Sequence, residues 1–170
     1  MQNYFDLFAI NTQFDVDLSK LELAYEKKIA EFHPDKFATQ SEHNKSIAIQ
    51  NTALVNTAYN TLKSPLTRAV YLLELNGIQA FDEKDTRMAA DFLTRQIELR
   101  EQLESIQSEQ NTLALDDFLE TVQQHIQHNT AQIKQSFASH DLHTVKNLVR
   151  ELKFYTQLND QANRLMDEWL

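Results

Sequence analysis

Gly77 is the only glycine in a chain of 170 residues, and the two prolines stand at positions 34 and 65. A sheet protein spends glycine on tight turns, where the backbone takes positive φ, and proline on turn corners. A chain with so little of either is expected to be all-α, and its abundance of Ala, Leu, Gln and Glu agrees. The three rare residues also punctuate it. Pro34 disfavours helix at His33 and supplies no N–H to a continuing one. Ser64-Pro65 is a favoured helix start, with Ser at N-cap and Pro at the first helical position. Gly77 stands where a helix C-cap takes the left-handed conformation.

Between these marks the apolar residues recur at three and four. Tyr4 to Ile10 reads as a short helix or turn. Asp15 and Asp17 are N-cap candidates for a helix whose stripe is Leu18, Leu21, Tyr25, Ile29 and Phe32, with Lys20, Lys27 and Lys28 off it. Ser41 caps a second helix with the stripe Ile47, Asn51, Leu54, Ala58, Tyr59 and Leu62. Joined by a short loop, the two form an antiparallel hairpin. Ala69, Leu72, Leu73 and Leu75 follow on the helix from Pro65.

Asp82-Glu83-Lys84-Asp85 is polar and unperiodic, so residues 77–86 read as a linker between an N-terminal domain over 1–76 and a C-terminal domain over 87–170. In the latter a helix from Arg87 carries Met88, Phe92, Leu99, Leu103 and Ile106. A polar loop spans Gln107 to Asn111. A long helix carries Leu115, Leu119, Val122, Ile126, Ile133 and Phe137. After a loop over Ala138 to Asp141, Val145, Leu148, Leu152, Tyr155, Ala162, Met166 and Trp169 mark the last helix. The expectation is an antiparallel three-helix bundle.

The formal net charge is −9. Residues 1–76 carry seven basic and nine acidic side chains and residues 77–170 carry nine and sixteen, so acidity concentrates in the bundle. Such a surface repels nucleic acid and anionic lipid, and neither is an expected partner. The absence of cysteine excludes disulfides and thiolate metal or cluster sites on this chain, and suits a reducing compartment. No apolar run is long enough to span a bilayer and no signal core follows Met1, so a cytoplasmic protein is the default.

Chemistry-bearing residues are few. The loop Phe32-His33-Pro34-Asp35-Lys36-Phe37 presents a histidine and an aspartate outward. As a catalytic dyad they lack an adjacent nucleophile and a glycine-rich oxyanion turn, so no enzyme activity is expected. His125/His128 and His140/His143 are spaced to share a helix face, but no Glu-x-x-His precedes them and no cysteine completes a site; solvated histidines, with neither metal nor cofactor, are expected. On the helix from Arg87, Leu93 and Ile97 lie roughly 100° and 140° from the core stripe. Thr94, Glu98, Glu101 and Ser105 share their side. Apolar residues among acids on a solvent face suit a partner site. Phe154 is about 110° off the last helix's stripe.

His33-Pro34-Asp35, the opening Tyr4…Leu7, Asn56-Thr57-Ala58-Tyr59 and Pro65-x-x-Arg68-Ala69-x-Tyr71 occur in order over residues 1–75. This segment resembles a J-domain, the module by which co-chaperones engage DnaK-type ATPases. With Lys36-Phe37 after the tripeptide, Arg68-Ala69-Val70-Tyr71-Leu72-Leu73 and Ile97-Glu98-Leu99-Arg100-Glu101, the whole chain is similar to the HscB-type J-domain co-chaperones of iron–sulfur cluster biogenesis. The resemblance implies a protein that binds an IscU-type scaffold, delivers it to an HscA/DnaK-type chaperone and stimulates that chaperone's ATPase. It implies that His33, Pro34, Asp35, Lys27 and Lys28 contact the chaperone, with Asp35 pairing to a partner arginine. It places scaffold contacts on Leu93, Thr94, Ile97, Glu98, Glu101, Ser105 and Phe154. Thr94 stands where a larger apolar residue is usual and Ser105 where an acid is usual. Weak self-association is compatible with it. Two alternatives stay open: a J-domain whose bundle takes another client, and a helical adaptor in which the tripeptide is accidental.

Overall fold

A computed structural model describes residues 3–82 and 88–170. Among them there is no strand, as the scarcity of glycine predicts, and the chain divides into compact units Met1–Asn76 and Gly77–Leu170. Of the expected linker over 77–86, residues 83–86 lie outside the described residues, as does Arg87.

The N-terminal unit contains α1 (Tyr4–Leu7), α2 (Leu18–Phe32), a 3-10 turn (Pro34–Phe37), α3 (Glu42–Lys63) and α4 (Pro65–Leu75). The expected caps form at α2, where Asp17 accepts from the Ser19 and Lys20 amides, and at α3, where Ser41 accepts from Asn44. Ser64 occupies the N-cap of α4 without a side-chain cap bond. Tyr25 donates to Asn56 at 2.5 Å and the Thr52 hydroxyl lies 3.1 Å from the Phe32 carbonyl. The paired numbers run in opposite directions, so α2 and α3 are an antiparallel hairpin. Its core includes Phe5, Leu21, Val55 and Leu62, all fully buried, each worth about 1.5–3 kcal/mol in removed apolar surface.

The stripe expected on α3 is corrected at Ile47 and Leu54, where the next residue is buried instead, and holds at Ala58 and Leu62. Ile47 and Leu54 are 40% and 46% exposed, while Ala48, Val55, Ala58 and Leu62 are buried.

Two further members of the sequence pattern hold this unit shut. Arg68 is buried, donates to the Leu62 carbonyl at 2.8 Å and lies over the Phe14 ring at 4.8 Å. It thereby satisfies a carbonyl that the end of α3 leaves without an intrahelical partner. Tyr71 stacks on Tyr4 at 4.5 Å, and its hydroxyl accepts from the Tyr4 amide at 2.9 Å, so α4 pins α1.

The C-terminal unit contains α5 (Ala90–Glu109), α6 (Thr112–Ala138) and α7 (Leu142–Trp169). Helix α5 starts at Ala90 rather than near Arg87, and Met88 packs on the core from outside the helix. Helices α6 and α7, each about 40 Å long, pair antiparallel: His125 meets Tyr155, and Asn129 donates to the Leu148 carbonyl at 3.2 Å. Helix α5 covers one half of this hairpin, where Phe92, Leu99, Leu103 and Ile106 pack with Leu115, Phe118, Val122, Tyr155, Leu158 and Ala162.

The polar loop expected over Gln107 to Asn111 is also corrected, because α5 runs to Glu109. The chain reverses at Gln110, with φ 50°, and again at His140, with φ 57°. Each reversal is closed by amides reaching back five and three residues: Asn111 to Ile106 and Gln110 to Gln107, then Asp141 to Ser136 and His140 to Phe137. Ala9 (φ 53°) does the same, with Ile10 bonding Phe5. These are left-handed helix caps made without glycine. Gly77, with φ 76°, takes the conformation expected of it.

Candidate functional site

The first surface is the turn after α2. Because Pro34 stops the helix, His33 takes extended backbone (φ −57°, ψ 130°) and serves as N-cap to the turn. Its Nδ1 accepts from the Asp35 amide at 3.2 Å, and its carbonyl accepts from the Lys36 amide at 3.0 Å. The Asp35 carboxylate lies 3.5 Å from the same Nδ1. An Nδ1 that accepts from the amide carries no proton to offer the carboxylate, so this second contact is an ion pair only in the imidazolium form. The Asp35 side chain is 92% exposed. The geometry fixes the backbone of the tripeptide and leaves its carboxylate in solvent. The two lysines differ: Lys28 pairs with Glu31 at 3.5 Å and sits over Phe32 at 5.7 Å, whereas Lys27 is exposed on the outer face of α2.

The second surface is the outer side of α5. Leu93 and Ile97 are 45% and 60% exposed, and Thr94, Glu98, Glu101 and Ser105 are exposed beside them. The Thr94 hydroxyl donates back to the Ala90 carbonyl at 3.1 Å and is engaged within its own helix. Phe154 corrects the expectation of a solvent-facing ring. It is 5% exposed, meets Phe92 edge-on at 5.7 Å, and is covered by the Arg100 guanidinium at 5.2 Å. Angular distance from one helix's stripe misjudged it because two helices, α5 and α7, enclose it.

Sequence reading missed a cluster beside this surface. Arg95 donates to the Tyr155 hydroxyl at 3.1 Å, and His125 stacks parallel on the Tyr155 ring at 5.0 Å. That bond is the main reason the Arg95 guanidinium is held above its ordinary value. Burial, with Arg95 and His128 nearby, pushes the His125 imidazole below the usual histidine range. Burial raises the Glu151 carboxyl, against the opposing pull of Arg95. The cluster draws on all three helices, so periodicity along one helix carries no trace of it.

Elsewhere, a cleft of about 330 Å³ is lined by Met88, Ala89, Phe92, His143, Asn147, Arg150 and Glu151. No group of three His, Cys, Asp or Glu side chains suited to a metal occurs among the described residues. His140 lies in the reversal after α6 and not on a helix, so it shares no helix face with His143. Among the described residues no helix is long and apolar enough to cross a membrane.

Comparison with known proteins adds a family context. Residues 88–163 match the family model described as HSCB C-terminal oligomerisation domain. The Co-chaperone protein HscB homolog of Vibrio cholerae serotype O1 (strain ATCC 39541 / Classical Ogawa 395 / O395) is 38% identical over 172 aligned residues, covering 99% of both chains. Among solved structures, Chaperone HscB from Vibrio cholerae superposes with TM-score 0.89 at 38% identity, covering 99% of this chain and 100% of that one. Human co-chaperone protein HscB gives TM-score 0.90 at 29% identity, with 96% and 82% covered.

Proposed function

The chain belongs to the HscB family of co-chaperones, and from that premise we propose that it works through two separate protein-docking surfaces. Its role is that of a J-type co-chaperone in iron–sulfur cluster biogenesis. The N-terminal unit, over 1–76, acts as the J-domain. Its turn engages an HscA/DnaK-type ATPase chaperone through His33, Pro34 and Asp35, with Lys27 and Lys28 steering the approach. Asp35 meets a partner arginine; truncating one partner of a charge pair desolvated at an interface costs about 2–5 kcal/mol. The exposed carboxylate on a fixed turn supports this reading, since little must be reordered on contact.

The C-terminal unit, over 87–170 beyond a linker at 77–86, holds an IscU-type scaffold. Leu93 and Ile97 supply the apolar anchor, and Thr94, Glu98 and Glu101 the rim. Phe154 supports that face from beneath. The observation that carries this assignment is the pair of exposed apolar side chains, one turn apart, on the acidic face of α5. The matched family model is described as an oligomerisation domain, and weak self-association through this unit belongs to the proposal. The proposed compartment is the cytoplasm. The relatives are named co-chaperones, and the proposed work is contact rather than catalysis on this chain.

Calorimetric titration with an IscU-type scaffold tests the assignment. Wild-type chain is expected to bind, and Leu93→Ala with Ile97→Ala to weaken binding at least about tenfold, as loss of interface anchors does. Equal affinity for both would sink the assignment to this face, and no scaffold binding by the wild-type chain would favour another client for the bundle.

A further inference from the structure

Tyr155 joins all three helices of the C-terminal unit at one buried point. It takes the Arg95 bond from α5 at 3.1 Å, stacks on His125 of α6 with 3° between the rings, and meets Phe92 of α5 edge-on at 5.9 Å. Arg95 lies between Leu93 and Ile97 in the sequence, so this tether holds the stretch of α5 that carries both. We propose that Arg95 and Tyr155 are positioning residues for the docking face of α5, and that protonation of His125 loosens their bond and weakens docking. This rests on the reading of α5 as the scaffold surface.

The charged and titratable groups around His125 set the direction. From α5 comes Arg95, itself attracted by Asp91. From α6 comes His128, and from α7 come Tyr155 and Glu151, the latter acting on Arg95. A neutral imidazole stacks on Tyr155 without opposing Arg95. An imidazolium on the partly buried His125 puts a second cation beside the solvent-exposed Arg95, and the repulsion is only partly screened. Arg95 is relieved by leaving Tyr155 for Glu151, Asp91 or solvent. Phe92 and Leu99 still hold α5 to the core, so the change is local to the segment bearing Leu93 and Ile97. His125 is depressed, so the folded form binds fewer protons than the unfolded one. The seating of α5 is therefore full above the ordinary imidazole value and is lost as pH falls through the lowered value that His125 has in the folded chain.

The test is an NMR titration of the full chain from about pH 8 down to about pH 5, which extends below the ordinary imidazole value to where a lowered His125 charges. Calorimetry with an IscU-type scaffold is run at both ends. The amides from Leu93 to Ile97 are expected to follow the His125 midpoint, and Arg95→Met to abolish that response. Wild-type affinity is expected to fall at least about threefold more on acidification than that of His125→Phe, which keeps the stack and cannot charge. Amides of α5 indifferent to His125, or an equal fall in both proteins, would overturn the inference. If no scaffold binds at any pH while the α5 amides follow His125, the scaffold reading fails and the positioning of α5 by this cluster stands.

Discussion

His140 holds φ 57° in the reversal between α6 and α7, and its side chain is exposed. A residue with a Cβ pays about 1–2 kcal/mol for that backbone, while glycine adds flexibility to the unfolded chain that takes back part of the gain. His140→Gly is expected to raise the unfolding free energy by about 0.5–1 kcal/mol in denaturant titration; a loss of stability would contradict the left-handed cap. The two amide bonds to Ser136 and Phe137 keep the reversal in place despite the strain. The loops over Gln107 to Asn111 and Ala138 to Asp141 were expected, but the left-handed caps at Gln110 and His140 within them were not. The rule that places a cap at glycine found Gly77 and had no purchase on residues that reach the same conformation through hydrogen bonds. Arg68 and Tyr71 were legible as members of a pattern but not as structural parts. A buried guanidinium seated on a carbonyl and a ring is visible only once α3, α4 and Phe14 come together.

Helix α5 shows how one element serves the core and a partner at once. Its buried positions, Phe92, Leu99, Leu103 and Ile106, were read correctly from spacing, and the exposure of Leu93 and Ile97 follows from the same geometry. Phe154 escaped that method because Phe92 and Arg100 of α5 cover it, which the stripe of α7 alone does not show. The two faces predict opposite phenotypes. Phe154→Ala is expected to destabilise the C-terminal unit by about 3 kcal/mol or more, the cost of deleting a buried aromatic. Leu93→Ala and Ile97→Ala, at exposed sites, are each expected to stay within about 0.5 kcal/mol of wild type. Thermal unfolding followed by circular dichroism separates them; a Phe154→Ala protein as stable as wild type would place that ring outside the core. On α3, too, size misled: Ile47 and Leu54 are exposed while their neighbours Ala48 and Val55 are buried.

At the scale of the molecule, the proposed working parts sit in different units: an exposed carboxylate on a fixed turn between 1 and 76, and an apolar pair on an acidic helix face between 77 and 170. The all-α class, the hairpin around the tripeptide and the amphipathic bundle were legible because periodicity and punctuation are local. The His125–Tyr155–Arg95 cluster was not, because it exists only where three helices meet. If the two surfaces act in one cycle, removing either must abolish a joint output without unfolding the chain. Steady-state ATPase of a cognate HscA-type chaperone, with and without an IscU-type scaffold, measures that output. Wild-type chain with scaffold is expected to stimulate hydrolysis well beyond either component alone. Asp35→Ala is expected to lose stimulation in both conditions, and Leu93→Ala with Ile97→Ala to lose only the scaffold-dependent part. Stimulation by Asp35→Ala equal to wild type would contradict the account.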